Sequence, residues 1–308
     1  MKPIVVVGSI NMDMVSHAHH LPRAGETIIG TSFNLHSGGK GANQAVAVAR
    51  LGHPSILLGK IGSDGFGQQL LETLSGYGVD TQHIEISSGS SGTATIVVDA
   101  AGENCIVVTP GANLEVTPHY LRGKMDILRS AGMVLAQLEI PLPTVEWLAG
   151  VCEEAGISLM LDPAPARLLP QSLLARVTWF TPNETEAGFY APNASSEDGL
   201  VRKLRASGVS NLILKRGSEG ALLAQAEDPQ HSIAAFPVSA LDTTAAGDAF
   251  NGAFAVAMER GYTPVESARF AAAAAAVSVT REGAQPSLPS GEETEELLQL
   301  HGITLAAR

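Results

Sequence analysis

Short runs of β-branched and apolar residues alternate with amphipathic stretches along most of this chain, and that alternation constrains the fold more than any other feature. Residues 4–7, 55–58, 133–136, 157–161, 177–181 and 212–215 read as buried strands. Helical patterns lie between most of them, at residues 42–51, 66–77, 121–130, 144–155 and 199–207. Strands that alternate with helices in this way pair in parallel, because each helix carries the chain back across the sheet. The expectation is an α/β fold with a central, mostly parallel sheet covered by helices on both faces. The chain has 308 residues, about twice a ~150-residue domain, yet it shows no internal repeat and no low-complexity linker. Residues 1–308 are therefore expected to form a single domain.

Two regions break the alternation. Residues 13–20 and 26–36 read as a strand pair joined by Leu21-Pro22-Arg23-Ala24-Gly25, and residues 93–99 and 104–109 as a second pair with Gly102 in its turn. Extra strands within about 12–37 and 92–110 suit a small β-sheet lid, which would exclude water from a reacting group. Towards the C-terminus, residues 222–224 and 232–236 read as antiparallel strands. Two helices rich in small residues follow at 247–260 and 264–279.

Charge narrows the partners. Lys and Arg number 19 against 31 Asp and Glu, a net charge of −12, with no basic tract. Nucleic acid and anionic membrane are therefore not expected as partners. A polyanionic ligand would have to be held by backbone N–H groups and a metal rather than by bulk positive charge. The longest apolar run, residues 271–277, is far short of the ~20 residues that span a bilayer. Cys105 and Cys152 form no metal-type spacing, and Met1-Lys2-Pro3 leads straight into the first strand. A reducing, cytoplasmic setting is expected.

Four motifs carry chemistry. Asp242-Thr243-Thr244-Ala245-Ala246-Gly247-Asp248 places small residues before a helix, so the amides of Ala245, Ala246, Gly247 and Asp248 would be free to bind an anion. Asp248 alone could equally be a helix-capping charge. Gly38-Gly39-Lys40-Gly41-Ala42-Asn43-Gln44 is a second glycine turn opening a helix, and it is not a Walker A loop, since no Gly-Lys pair is followed by Ser or Thr. Thr181-Pro182-Asn183-Glu184-Thr185-Glu186 follows a strand; Asn183 and Glu186 could orient the water shell of a magnesium ion or simply form a capping box. Gly8-Ser9-Ile10-Asn11-Met12-Asp13 ends the first strand, and Glu139 ends another, where open α/β sheets bind ligands. His17, His19 and His20 lack carboxylate or Cys company and are read as a solvated lid strand, and Trp147 and Trp179 as packing residues.

In this order the four motifs resemble the PfkB-type carbohydrate kinase family, over residues 4–289 and most closely its ribokinases. Pro163-Ala164-Pro165-Ala166-Arg167 and Thr280-Arg281-Glu282-Gly283-Ala284-Gln285-Pro286-Ser287 strengthen the likeness. The resemblance implies ATP-dependent phosphorylation of a sugar, ribose at its 5-hydroxyl, with a kinase for deoxyribose, another sugar or a nucleoside as the alternative and a non-catalytic sugar sensor as a third. It implies that Asp248 is the base and that Ala245, Ala246, Gly247 and Asp248 form the anion hole. Asn11, Met12, Asp13, Gly39, Lys40, Gly41, Ala42, Asn43, Glu139 and Asp248 would surround the sugar. Asn183, Lys215, Arg216, Gly217, Ser218, Glu219, Gly220, Gly247 and Asp248 would hold ATP, with Glu186 reaching magnesium through water. Asp242, Thr244, Ser278, Arg281, Gly283 and Ser287 match a potassium site. Ribokinases pair through their lids, so a homodimer is expected. Ala245 stands where many members have Gly, and Ala272 where a polar residue is expected near the adenine.

Overall fold

A computed structural model describes residues 1–226 and 228–305. Its strands are β1 (Ile4–Val7), β2 (Asn11–His17), β3 (Ser32–Gly38), β4 (Ser55–Leu58), β5 (Lys60–Gly62), β6 (Glu85–Ser87), β7 (Gly92–Val98), β8 (Asn104–Thr109), β9 (Met133–Gln137), β10 (Ser158–Asp162), β11 (Trp179–Phe180), β12 (Leu212–Lys215), β13 (Ala221–Ala224) and β14 (His231–Ile233). The main sheet runs β14-β13-β12-β11-β10-β9-β1-β4. Its members from β12 to β4 are parallel, and β13 and β14 are antiparallel.

Successive side chains of a strand point to opposite faces, which is why the parallel strands are apolar at every position. Ile4, Val6, Met133 and Leu135 pack beneath the helices Lys40–Arg50, Ala246–Glu259 and Pro264–Ser278. Val5, Val7, Val134 and Ala136 pack on the other side against the Leu142–Ala155 helix. Phe254 is fully buried in the first layer and meets Trp179 edge-to-face at 4.9 Å. Trp179 is thus a packing residue, and Trp147 lies under the guanidinium of Arg122.

The expected lid is a separate four-stranded sheet, β3-β2-β7-β8. The two expected hairpins are antiparallel pairs, joined by a parallel β2–β7 contact from Asn11↔Gly92 to His17↔Val98. The second lid strand is shorter than the 26–36 reading, because residues 26–31 form no ladder and pairing starts at Ser32. The expected 121–130 helix is two, Pro118–Arg122 and Met125–Ser130, interrupted at Gly123-Lys124. The 177–181 strand is only Trp179–Phe180, since Pro182 removes a ladder donor at its end. The short β5–β6 pair and the Gly291–Leu300 helix were not read from the sequence. No described helix is long and apolar enough to cross a membrane.

Phe254→Ala should lower unfolding stability by about 3–5 kcal/mol, the usual cost of deleting a fully buried aromatic side chain. Urea unfolding followed by far-UV circular dichroism checks this through a lower midpoint at unchanged slope.

Candidate active site

The parallel strands β1, β9 and β10 all end at one edge of the sheet, and the polar residues there converge. The Lys40–Arg50 helix starts directly above β1. Gly39 precedes it with φ 89°, a left-handed conformation that only glycine adopts without strain. Gly41 lies against the Gly8 backbone, where a Cβ would come within 2.6 Å of Gly8 Cα. This close approach brings the helix N-terminus onto the strand end. There the Lys40 amide donates to Glu139 Oε2 at 3.1 Å and the Gly41 amide to Ser9 Oγ at 3.3 Å, while the Ser9 hydroxyl donates to Glu139.

The second helix N-terminus lies beside this one. Ala245 caps the Ala246–Glu259 helix with φ 61°, a left-handed conformation carried here by a residue with a Cβ. The expectation of four free amides is corrected: the Ala246 N–H donates to the Thr243 carbonyl at 3.2 Å, because the chain closes a turn just before the helix. The Gly247 and Asp248 amides have no acceptor among the described residues.

Asp248 is no simple capping charge. Its carboxylate is buried and takes an amide hydrogen bond on each oxygen, from Asn43 Nδ2 to Oδ2 and from Gln44 Nε2 to Oδ1, both at 3.0 Å. Burial raises its pKa, as does the charge of Asp162, while Lys40 and the two amides pull the other way. Asp13 is pushed up to about 7, first by burial and then by Glu139 and Asp248. Lys40 is half-buried, and its desolvation disfavours the charge, but Asp248, Asp162, Glu139 and Glu186 outweigh this and hold the amine above its ordinary value. One cation is thus embedded in a ring of carboxylates.

Asn11 and Asp13 leave β2 on the same side, whereas Met12 points the other way into the hydrophobic layer and is fully buried. Ala42 is buried in the same layer, so Met12 and Ala42 back the polar cluster rather than belonging to it. Asn113, which the sequence reading missed, accepts from the Ile10 amide and donates Nδ2 to Asn11 Oδ1 at 2.7 Å. With its oxygen engaged, Asn11 presents its NH₂ to a ligand.

A cavity of about 550 Å³ adjoins this polar cluster. Lys40, Asp248, Gly247, Ala246 and Ala245 lie at its inner end, and Asn183, Glu186, Lys215, Gly217, Ser218 and Gly220 along its wall. Arg216 and Glu219 do not line it. The Arg216 guanidinium instead ties its own loop together, bonding Glu197, Ser232 and the Ala221 carbonyl. The far end is apolar, with Phe236, Val238, Ala272, Ala275, Ala276 and Val279.

Asn183 and Glu186 do form a capping box, with Asn183 Oδ1 accepting from the Glu186 amide and Glu186 Oε2 from the Asn183 amide, both at 2.8 Å. Both still line the cavity. Glu186 keeps its second oxygen, which suits magnesium held through water. Asp242 clasps two loops: Oδ1 accepts from the Thr244 amide and Oδ2 from the Gly283 amide, each at 2.8 Å. Burial raises its pKa, but these bonds outweigh burial and hold it below the usual carboxylate range. Ser278 and Ser287 are fully buried and donate their hydroxyl protons to carbonyls, which leaves oxygen lone pairs inward. Oxygen donors of this kind suit a hard cation. Arg281 is drawn away to Glu293 at 2.5 Å, so only its backbone could join that set. His19 and His20 are exposed, His20 pairing with Glu26 at 3.2 Å, and the described residues contain no His, Cys, Asp or Glu cluster suited to a metal.

The sequence profile described as pfkB family carbohydrate kinase matches residues 1–291. The chain belongs to this family. It is 42% identical over 299 residues to a ribokinase of Bacillus subtilis, covering 97% of this chain and 100% of the relative. It is 35% identical over 304 residues to a deoxyribokinase of Salmonella typhi, covering 97% of this chain and 99% of the relative. Among solved structures, the Arabidopsis thaliana ribokinase complexed with ribose and ATP superposes with a TM-score of 0.91 at 34% identity, over 97% of this chain and 99% of that one. As a carbohydrate kinase, the protein joins its polar cluster and its cavity at Asp248 and Lys40.

The carboxylate cluster predicts a pH dependence of the sugar-free protein. Because the Asp13 pKa is raised in the fold from 3.8 to about 7, its favourable contribution is present at low pH and is lost as pH rises through about 7. Asp13→Asn removes that loss. Its melting temperature relative to the unsubstituted protein should therefore rise from pH 5.5 to pH 8.5, and a difference that stays flat across that range would contradict the crowding of these carboxylates.

Proposed function

We propose that the protein is an ATP-dependent ribokinase, transferring the γ-phosphoryl group of ATP to the 5-hydroxyl of ribose. The observation that carries this reading is the buried Asp248 carboxylate, held by Asn43 and Gln44 at the junction of a hydroxyl-binding cluster and a cavity that ends in unpaired helix amides. Asn11, Asp13, Gly39, Lys40, Asn43 and Glu139 hold the sugar hydroxyls, with Gly41 supplying close packing. Asp248 accepts the proton of the 5-hydroxyl as that oxygen attacks phosphorus. The Gly247 and Asp248 amides, with the helix dipole behind them, stabilise the charge on the transferring phosphoryl. Lys40 adds its charge from the sugar side.

Asn183, Lys215, Gly217, Ser218 and Gly220 receive the nucleotide, and the apolar end takes its base. Asn183 and Glu186 hold magnesium through water, which offsets the phosphate charge. Asp242, Ser278, Ser287 and carbonyls of Thr244, Arg281 and Gly283 hold potassium, which steadies the loop that carries the anion hole. A deoxyribose reading is disfavoured by Asn11, whose NH₂ is fixed toward the ligand and would lose a partner on a sugar lacking a hydroxyl.

The lid supplies the oligomer. Every residue of β8 is exposed, including Ile106 and Val107 on its two faces, and Phe33 on β3 is 59% exposed. An apolar edge strand open on both faces is an aggregation hazard unless covered, and a second copy of this lid covers it. We therefore propose a homodimer through the lid.

ADP release measured over ribose, deoxyribose, fructose and adenosine, each in potassium and in sodium, tests the reading. Ribose turnover that rises with potassium is expected. Turnover on adenosine alone, or binding of ribose with no turnover, would overturn it. Asp248→Asn should lower kcat by ~10²–10⁴-fold while ribose affinity stays within a few-fold. Sedimentation of the protein at micromolar concentration should give twice the chain mass, and Val107→Asp should return it to a monomer.

A further inference from the structure

Asp162 has no part in the reaction as described, yet it sits beneath it. It ends β10, is 2% exposed, and its two oxygens serve different partners. Oδ1 accepts from Lys215 Nζ at 3.1 Å. Oδ2 accepts from Gln44 Nε2 at 3.0 Å, and the same nitrogen donates to Asp248 Oδ1 at 3.0 Å. The amide of Gln44 cannot turn round, because its oxygen accepts from Gln137 Nε2 at 2.7 Å. Its NH₂ is therefore locked between the two carboxylates. The Lys215 ammonium lies across Gly247, where a Cβ would be only 3.3 Å from Nζ. An unbroken chain runs from Lys215 at the phosphate side, through Asp162 and Gln44, to Asp248 at the sugar side.

Fold stability alone does not call for this arrangement. Burying an ion pair beside a second carboxylate carries a desolvation penalty that apolar residues of the same volume would avoid. What the chain provides is placement. A lysine side chain free in water samples many rotamers, whereas Lys215 is held over the anion hole before any ligand arrives.

We infer that Asp162 is a positioning residue that holds Lys215 for the phosphoryl group and, through Gln44, couples its arrival to the strength of the base. This rests on the phosphoryl-transfer reading above. With phosphate absent, Lys215 offsets the Asp162 charge. When Lys215 turns to a phosphate oxygen, more of that negative charge falls on Asp248, which becomes a stronger base at the moment a hydroxyl must be deprotonated. The new O–P bond then forms from the sugar oxygen, its proton passes to Asp248, and the bond to the bridging oxygen breaks with its electron pair left on ADP. Asp162 is among the charges that raise the Asp248 pKa; the others facing Asp248 are Lys40, which lowers it, Asn43 and Gln44, which donate to it, and Asp13 across the pocket.

Asp162→Asn and Lys215→Met separate these roles. In Asp162→Asn, kcat should fall ~10–100-fold, the usual effect of losing a charge-assisted hydrogen bond, with ribose affinity within about twofold. The acid limb of its kcat profile should move to lower pH, since a negative neighbour of the base is gone. Lys215→Met should weaken ADP binding, read by calorimetry without turnover, and Lys215→Arg should partly restore it. The double variant should bind ADP no worse than Lys215→Met alone, because both act through one ammonium. An acid limb unmoved in a folded Asp162→Asn, or ADP affinities that add independently, would overturn the inference. If Asp162→Asn fails to fold, the calorimetry on Lys215→Met and Lys215→Arg decides: unchanged ADP affinity in both defeats it. A wild-type protein that turns over no sugar defeats the reading beneath it instead, and a kinase whose Asp162→Asn profile superimposes defeats the inference while leaving that reading standing.

Discussion

The arrangement depends on one buried carboxylate with a hydrogen bond on each oxygen. Asp248 receives Asn43 and Gln44 from a helix some two hundred residues earlier in the chain, and those two bonds lock the N-termini of the Lys40–Arg50 and Ala246–Glu259 helices side by side. The helices can approach because small residues meet along them: a Cβ at Gly252 would come within 2.6 Å of the Ala47 methyl. Two positive helix ends then point at one volume. That is how a protein with net charge −12 can hold phosphates without a basic surface.

Around that carboxylate the pocket is electrostatically tense. Asp13 and Asp248 are both raised by burial, Asp13 further by the charges of Glu139 and Asp248, and Asp248 by that of Asp162. Lys40 is the countercharge that Asp248 shares with Asp162, Glu139 and Glu186. A sugar brings hydroxyl donors that satisfy carboxylates without adding charge, and a phosphate brings acceptors for the Gly247 and Asp248 amides, which have none among the described residues. The unliganded site is therefore poised for one neutral polyol and one polyanion.

The lid has the opposite character, since its strands hold few buried contacts and expose Phe33, Ile106, Val107 and Val108. β2 belongs to the lid, yet it carries Asn11 and Asp13 directly from the end of β1. Any movement of the lid is thus transmitted to two side chains of the polar cluster.

The sequence alone determined the parallel sheet, the two glycine-opened helices and the lid strands, because apolar periodicity and glycine before a helix are local signals. It also pointed to Asp248, Lys40, Asn43 and Glu139 through their motifs. Only the tertiary structure decided what those motifs do to one another. Asp162, Gln137 and Asn113 sit in no telling local pattern, Gln44 only closes a glycine motif, and their roles arise from hydrogen bonds spanning 53 to 204 residues of chain. Met12 looked like a pocket residue because it lies between Asn11 and Asp13, but the pleat of β2 sends it into the core. Arg216 shared a loop with Lys215, yet Glu197 and Ser232, remote in sequence, draw it away from the cavity. Periodicity is written along the chain, whereas the sharing of one proton acceptor between distant side chains exists only once the sheet has brought its strand ends together.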